Sequence, residues 1–201
     1  MTAVAEDATS GDDDPFRRRL LDGLAASIAE RGYRASTVAD IVRHARTSKR
    51  TFYDQFTSKE QCFLELVRAE FEQLGADLRA AVDPDADWHR QIHQAVEAYV
   101  ARIESRPAIT LSWIRELPSL GAAARPVQRR GFEMLTGLLV ELTGSPGFRQ
   151  ARLPPLTPPL AVILVGGLHE LTALAVEDGH DIREIVEPAV DASIAVLGPR
   201  S

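Results

Sequence analysis

The sequence predicts an all-α chain, with a small N-terminal three-helix head and a larger helical body, about nine helices in all. Three observations point there. Apolar residues recur three and four apart through most of the 201 residues, and no stretch sustains the period-two alternation of a half-buried strand. Gly, Pro and capping residues fall at the breaks between the apolar runs.

Phe16, Leu20, Leu24 and Ile28 step by four and define the first helix, which ends near Arg31 and Gly32, glycine being the usual residue past a C-terminus. Ser36 or Thr37 caps a short second helix reaching about Ala45, with Thr37 and Asp40 spaced as a capping box. A third helix covers about 48–56. Ser58 with Gln61 caps a long fourth, striped by Phe63, Val67, Phe71, Leu74 and Leu78 and closed by Asp83-Pro84. Asp87 opens a fifth, whose buried face is Ile92, Val96, Tyr99, Val100 and Ile103, and a short sixth lies between Arg106-Pro107 and Leu117-Pro118. The seventh covers about 119–143, with Pro126 either kinking it or marking its true start. Residues 144–159 contain five prolines and read as a loop. An eighth helix (about 160–177) and a ninth (about 181–197) follow, separated by Asp178-Gly179-His180.

Composition allows a globular chain with a sizeable core, at 45% hydrophobic and 26% charged residues. The single cysteine, Cys62, cannot close an intrachain disulfide and fits a core thiol in a reducing, cytoplasmic setting. The longest apolar run, residues 160–168, stops at His169 and Glu170, short of the roughly 20 residues that cross a bilayer, so no membrane span is expected. Charge is unevenly spread. Residues 1–14 hold five acids and no Lys or Arg and read as a disordered acidic tail, without the basic start of a secretory signal. Residues 16–59 carry ten Lys or Arg against four Asp or Glu, whereas residues 60–201 carry thirteen against twenty, within a net charge of −6. A basic head on an acidic body is expected where only the head meets phosphate. The predicted domains are therefore the tail at 1–14, a DNA-binding head at 15–58 and a body at 59–201.

Two short helices joined by a tight turn, the second starting Ser48-Lys49-Arg50-Thr51, meet the requirements of a helix-turn-helix. Phe52 and Phe56 lie four apart and pack inward, which leaves Lys49, Arg50 and Tyr53 facing outward toward a groove. The hydroxyls of Ser48 and Thr51, with the first N–H groups of the second and fourth helices, suit phosphate oxygens.

With Thr37-Val38, Ile41, Ala45, Ser48, Thr51-Phe52-Tyr53, Phe56 and Ser58-Lys59-Glu60 in this order and spacing, the head resembles that of the TetR transcriptional repressors. The match covers roughly a quarter of the chain; the body agrees only in helix number, order and length. The resemblance implies that Thr37, Ser48, Thr51, Tyr53 and Lys59 hold the DNA backbone, while Thr47, Lys49 and Arg50 lie nearest the bases. Two positions depart from the family. Arg46 and Arg50 stand where many members have Gly, so Arg46 must take a positive φ unless its turn is built differently, and Arg50 adds a cation of the kind that reads guanine. Arg17, Arg18 and Arg19 are either an arm on the DNA or the outer face of the first helix.

The eighth helix is apolar on all sides over its first nine residues and the ninth presents a wide apolar face, so both need more than one neighbour. The resemblance implies that these two helices pair with those of a second copy as a four-helix bundle, giving a homodimer on a pseudo-palindromic operator. It also implies an effector pocket among the fourth to eighth helices. Phe71, Trp113 and Met134 would line it, with Tyr99, and His93, Glu97, Arg115 and His169 would supply polar anchors. The expected function is a repressor released from DNA by a small apolar or aromatic molecule, with the fourth helix linking pocket to phosphate contact.

His89, His93 and Glu97 fall on one face at steps of four, but successive turns spread them over about 12 Å, too far for one ion, and only the two histidines could pair on a metal. No metal, cofactor or enzyme motif is otherwise present: there is no Gly-rich phosphate loop, nucleophile elbow or His-Glu-x-x-His. A helical architectural DNA-binding protein without sensing is the alternative, as is an enzyme without a recognisable motif; the former should lack a body with a cavity.

Overall fold

The computed structural model describes residues 14–199, and the tail expected at 1–14 lies outside them except for Asp14. Among the described residues there are ten α-helices, two 3-10 segments and no strand. They form two compact units that divide after Leu66.

The first unit holds α1 (Pro15–Ala35), α2 (Val38–Ala45), α3 (Lys49–Gln55) and the first two turns of α4 (Lys59–Ala81). Each helix starts where the sequence offers a cap. Asp14 accepts from the Phe16 N–H, Thr37 and Asp40 complete the capping box, Ser48 accepts from the Thr51 N–H, and Ser58 from the Gln61 N–H. Gly32, at φ +79°, breaks α1 where the sequence placed its end. Leu20, Leu24, Ile41, Phe52 and Phe63 are wholly buried in the core of this unit. Gly23 lets α1 touch α2, for a Cβ there would lie 2.6 Å from the Ile41 carbonyl oxygen.

The second unit comprises the remainder of α4, then α5 (Trp88–Ser105), α6 (Pro107–Arg115), α7 (Arg125–Thr143), α8 (Pro146–Gln150), α9 (Pro158–Glu177) and α10 (Val186–Leu197). Two expectations are corrected, and one of the two readings of Pro126 is met. Pro126 stands at the start of α7, where its missing N–H costs nothing, and the preceding residues Leu117–Ala123 form a 3-10 segment instead of its first turns. The expected loop at 144–159 contains α8, opened by Ser145 as cap and Pro146 as first residue, because Phe148 is buried and anchors the segment beside Trp88. The ninth predicted helix begins as a 3-10 turn, Ile182–Ile185, before α10.

By length and composition α9 could cross a membrane, with a mean hydropathy of 1.8, which the run of residues 160–168 alone did not suggest. Its inner face, however, is Ala161, Val165, His169, Thr172 and Ala173, packed within the body, and Glu170 and Glu177 are both ion-paired to Arg115 on α6. One face of α9 is thus packed in the body, and about a third of its apolar window is buried. Val162, Ile163 and Leu174 remain exposed on its other face.

Candidate nucleic-acid interface and body cavity

The turn between α2 and α3 is set by Arg46, which takes the left-handed conformation at φ +51° and ψ +48°. The Thr47 N–H donates to the Val42 carbonyl (3.0 Å) across it, so the helix closes as glycine-terminated helices do, with an arginine in glycine's place. Arg19 compensates. Its Nη2 donates to the carbonyl oxygens of Ala45 (2.7 Å) and Arg46 (3.1 Å), adding a cation at the negative end of α2.

On α3, Phe52 and Phe56 are buried and Phe52 meets Tyr53 edge-on at 5.3 Å. Lys49 and Arg50 are exposed, and Tyr53 is 58% exposed. The face predicted to meet a groove is therefore the solvent face, for the reason the spacing gave: one apolar stripe fills the core and the rest of a short helix has nowhere else to go.

The arginines at the start of α1 are neither a free arm nor only an outer face. Arg17 donates to the Gln55 carbonyl (3.0 Å), lies 4.5 Å above the Phe56 ring and pairs with Glu65, while Gln55 Nε2 donates to Asp14 (2.6 Å). The end of α3 is thus braced by the beginning of α1. Sequence spacing gave no sign of this, because the partners lie 38 and 41 residues apart.

Among the predicted backbone contacts, Ser48 and Thr51 sit together at the N-terminus of α3, their hydroxyls 2.9 Å apart. Thr47 is half-buried in the turn. The Thr37 hydroxyl, at the exposed start of α2, is engaged with Asp40 (2.6 Å). Lys59 is turned inward: its Nζ donates to the carbonyls of Ser36 (2.9 Å) and Tyr33 (3.1 Å) and sits 4.3 Å from the Tyr33 ring centre. Its ammonium closes the end of α1 and is not presented on the surface with Lys49 and Arg50. Beside α2, Arg31, Arg43 and His44 converge on Glu30, and their hydrogen bonds hold that carboxyl down at about 2. These cations are partly spent on a carboxylate.

The body contains a cavity of about 360 Å³ bounded by α4, α5, α7, α9 and α10, its walls made chiefly of Val96, Leu138, Val165, Leu168 and Ala189. Of the predicted pocket residues, Tyr99 and His169 line it. Phe71 and Trp113 pack on each other at 4.8 Å and border a much smaller void of about 20 Å³. Met134 lies against Gly75, between α4 and α7, and lines neither. His93 and Glu97 are corrected to the outer side of α5, where they face each other at 3.6 Å and His93 also faces Glu187. The reason is phase: Ile92, Val96 and Tyr99 take the inward positions, so residues one step away point out. Arg115 is occupied by Glu170 and Glu177. The sequence reading missed Ala189 and Ser193 of α10, because it reserved the last helix for pairing with a second copy. His89 stacks on Trp88, and no group of three or more His, Cys, Asp or Glu side chains among the described residues could hold a metal.

Two polar groups stand on the cavity wall with different fates. The Thr172 hydroxyl donates to the Leu168 carbonyl (2.7 Å), so Tyr99 must donate its own proton to Thr172 (3.0 Å), and burial pushes the phenol well above its usual range. His169 is buried edge-on to Trp113 (4.5 Å) and Phe132 (5.1 Å), and its Nε2 has no hydrogen-bond partner among the described residues. Desolvation lowers its pKa to about 4, so the ring is neutral near pH 7.

Residues 20–66 match the family model described as bacterial regulatory proteins, tetR family. The repressor KstR2 of Mycobacterium tuberculosis is 33% identical over 119 residues, 59% of this chain and 60% of that protein, so the match spans about three fifths of the relative's length. Among solved structures, the fatty acid degradation regulator FadR from Bacillus halodurans superposes with a TM-score of 0.74 at 20% identity, covering 93% of this chain and 97% of that one. FadR from Bacillus subtilis in complex with stearoyl-CoA gives 0.71 at 18% identity, over 90% and 99%. At these identities the two structures show the fold alone.

Proposed function

We propose that this chain, whose residues 20–66 match the tetR family of bacterial regulatory proteins, is a homodimeric transcriptional repressor, released from double-stranded operator DNA by a small apolar effector. The observation that carries the DNA-binding half is the exposure of Lys49, Arg50 and Tyr53 on a helix anchored from beneath by Phe52. Ser48, Thr51 and the first N–H groups of α2 and α4 meet phosphates, with Thr37 and Thr47 beside them, while Lys49 and Arg50 reach base edges. Lys59 contributes indirectly, by holding the end of α1.

The sensing half is supported by the cavity, whose aliphatic walls suit an apolar molecule and whose volume lies within the range of small-molecule sites. A cavity of this size favours sensing over a purely architectural role. That a protein of the same fold has been crystallised with stearoyl-CoA fits an effector with an elongated apolar chain. The exposed apolar residues Val162, Ile163 and Leu174 of α9 are where a second copy would pack, and two-fold symmetry then requires a pseudo-palindromic site. The effector acts by preferring the dimer state that fits DNA poorly; a hundredfold preference corresponds to about 2.7 kcal/mol of coupling.

Selection of binding sites from a random DNA pool, followed by anisotropy titration, tests this. A pseudo-palindrome should emerge, and Arg50→Ala should lower the ratio of specific to random affinity about tenfold, the value of one good base contact. Equal weakening on selected and random DNA would remove Arg50 from base recognition, and failure to enrich any sequence would remove the function.

A further inference from the structure

We infer that Arg17 on α1, held by Glu65 on α4, is a positioning residue for the base-reading helix: it fixes the far end of α3 and so sets how sharply Lys49 and Arg50 discriminate between sequences, without itself touching DNA. The inference rests on the reading of α3 as the helix that enters the groove. That helix is only seven residues long, and the Ser48 cap secures the end that meets phosphate. Its other end has no provision of its own. The last turn carries no basic residue to oppose the helix dipole, and the chain is already extended at Phe56, with φ −137° and ψ 135°.

Arg17 supplies what that end lacks. Its Nη1 donates to the Gln55 carbonyl (3.0 Å), its guanidinium carbon lies 4.5 Å from the Phe56 ring centre, and its Nη2 pairs with Glu65. Gln55 is tied a second time, through its side-chain amide, to Asp14 (2.6 Å), whose other carboxylate oxygen accepts from the Phe16 N–H (2.8 Å). One side chain thus joins α1 to both α3 and α4, which a planar fork can do and a point charge cannot. The side chains of Arg17 and Glu65 are only 19% and 20% exposed, so this charge is spent inside the head, whereas Lys49 and Arg50 stand in solvent. Base edges demand placement to about 0.5 Å, and phosphates, which carry no sequence information, demand less. A two-turn helix pinned at one end only would keep its phosphate contacts and blur its base contacts. Because Glu65 belongs to α4, the same ion pair passes a tilt of α4 to the end of α3.

Anisotropy titrations of the full chain on a selected sequence and on random DNA, at several salt concentrations and well below the unfolding midpoint, test this. Arg17→Ala should lower the ratio of selected to random affinity about fivefold, part of the worth of one good base contact, while the salt slope on random DNA stays unchanged. Arg17→Lys keeps the charge but cannot bridge Gln55 and Glu65, so its ratio should fall nearly as far. Glu65→Gln leaves the Gln55 bond in place and should lower the ratio about threefold. A purely structural role would move the unfolding midpoint and spare the ratio, and an unchanged ratio in Arg17→Ala or in Glu65→Gln overturns the inference. A salt slope on random DNA smaller by about 0.9 in Arg17→Ala, and restored in Arg17→Lys, would make Arg17 a phosphate contact and overturns it as well. Should Arg17→Ala fail to fold, Glu65→Gln decides alone. If the unsubstituted chain enriches no sequence, the DNA-binding reading itself fails, and this inference with it.

Discussion

Arg19 on α1 and Ala45 at the end of α2 are joined by a 2.7 Å hydrogen bond from guanidinium to carbonyl, extended at 3.1 Å to the carbonyl of Arg46. Two carbonyls at a helix C-terminus, which the helix cannot satisfy itself, are thereby closed by a cation from another helix. Removing it leaves them to water. Arg19→Ala should cost about 1 kcal/mol, the low end for a charge-assisted bond at a partly exposed site, and should speed amide exchange in the last turn of α2. Its preference for selected over random DNA should stay unchanged; a loss of preference would mean that Arg19 touches DNA.

Arg46 holds a left-handed backbone at φ +51°, which costs an L-residue about 1 kcal/mol that glycine does not incur. Arg46→Gly should therefore raise the midpoint of urea unfolding, despite the extra freedom glycine gives the unfolded chain. A lowered midpoint would show that the arginine side chain contributes more than the strain removes.

The head was legible in the sequence because its determinants are local. Thr37 with Asp40 and Ser58 with Gln61 are caps read at a spacing of three, and Phe52 with Phe56 is a stripe read at a spacing of four. What spacing could not give was the brace from Arg17 to Gln55, or the inward turn of Lys59 onto the Ser36 carbonyl, since both depend on where a long side chain finds an acceptor far along the chain. The cavity was less legible for a related reason. Val96 and Leu138 are core-like residues in any reading, and only packing decides that a void lies between them. His93 and His169 look alike in sequence, yet helix phase puts one at the surface and the other against two aromatic rings.

Gly147 on α8 has no conformational demand, but its neighbours leave no room. A Cβ there would stand 1.8 Å from the Ala86 carbonyl oxygen and 2.4 Å from Gln91 Nε2, and Gln91 itself ties Pro84, Ala86 and Ser145 together. Because most of these atoms are backbone or already hydrogen-bonded, they cannot yield cheaply. Gly147→Ala should destabilise the protein by about 2–4 kcal/mol in thermal or urea unfolding, in the range of overpacking with loss of a buried polar network. A change below about 0.5 kcal/mol would mean that this corner moves as a surface loop does.

His169 should make stability depend on pH in a window set by its burial. The ring's pKa is about 4 in the fold and near the ordinary 6.5 once unfolded, so between those values the unfolded chain binds the extra proton. Stability from this residue is complete above about pH 6.5 and declines as the pH falls toward 4, by about 3 kcal/mol over the interval. Of the groups around it, Trp113 and Phe132 carry no charge, Tyr99 ionises only far above neutrality, and Glu170 and Glu177 are held below the usual carboxylate range by their hydrogen bonds to Arg115. Urea unfolding at pH 7.0, 5.5 and 4.5 should therefore show a slope that His169→Leu removes, whatever slope the other histidines leave behind. If the two proteins lose stability in parallel over this range, the imidazole is protonated in the fold, and the cavity is more open to water than its apolar walls require.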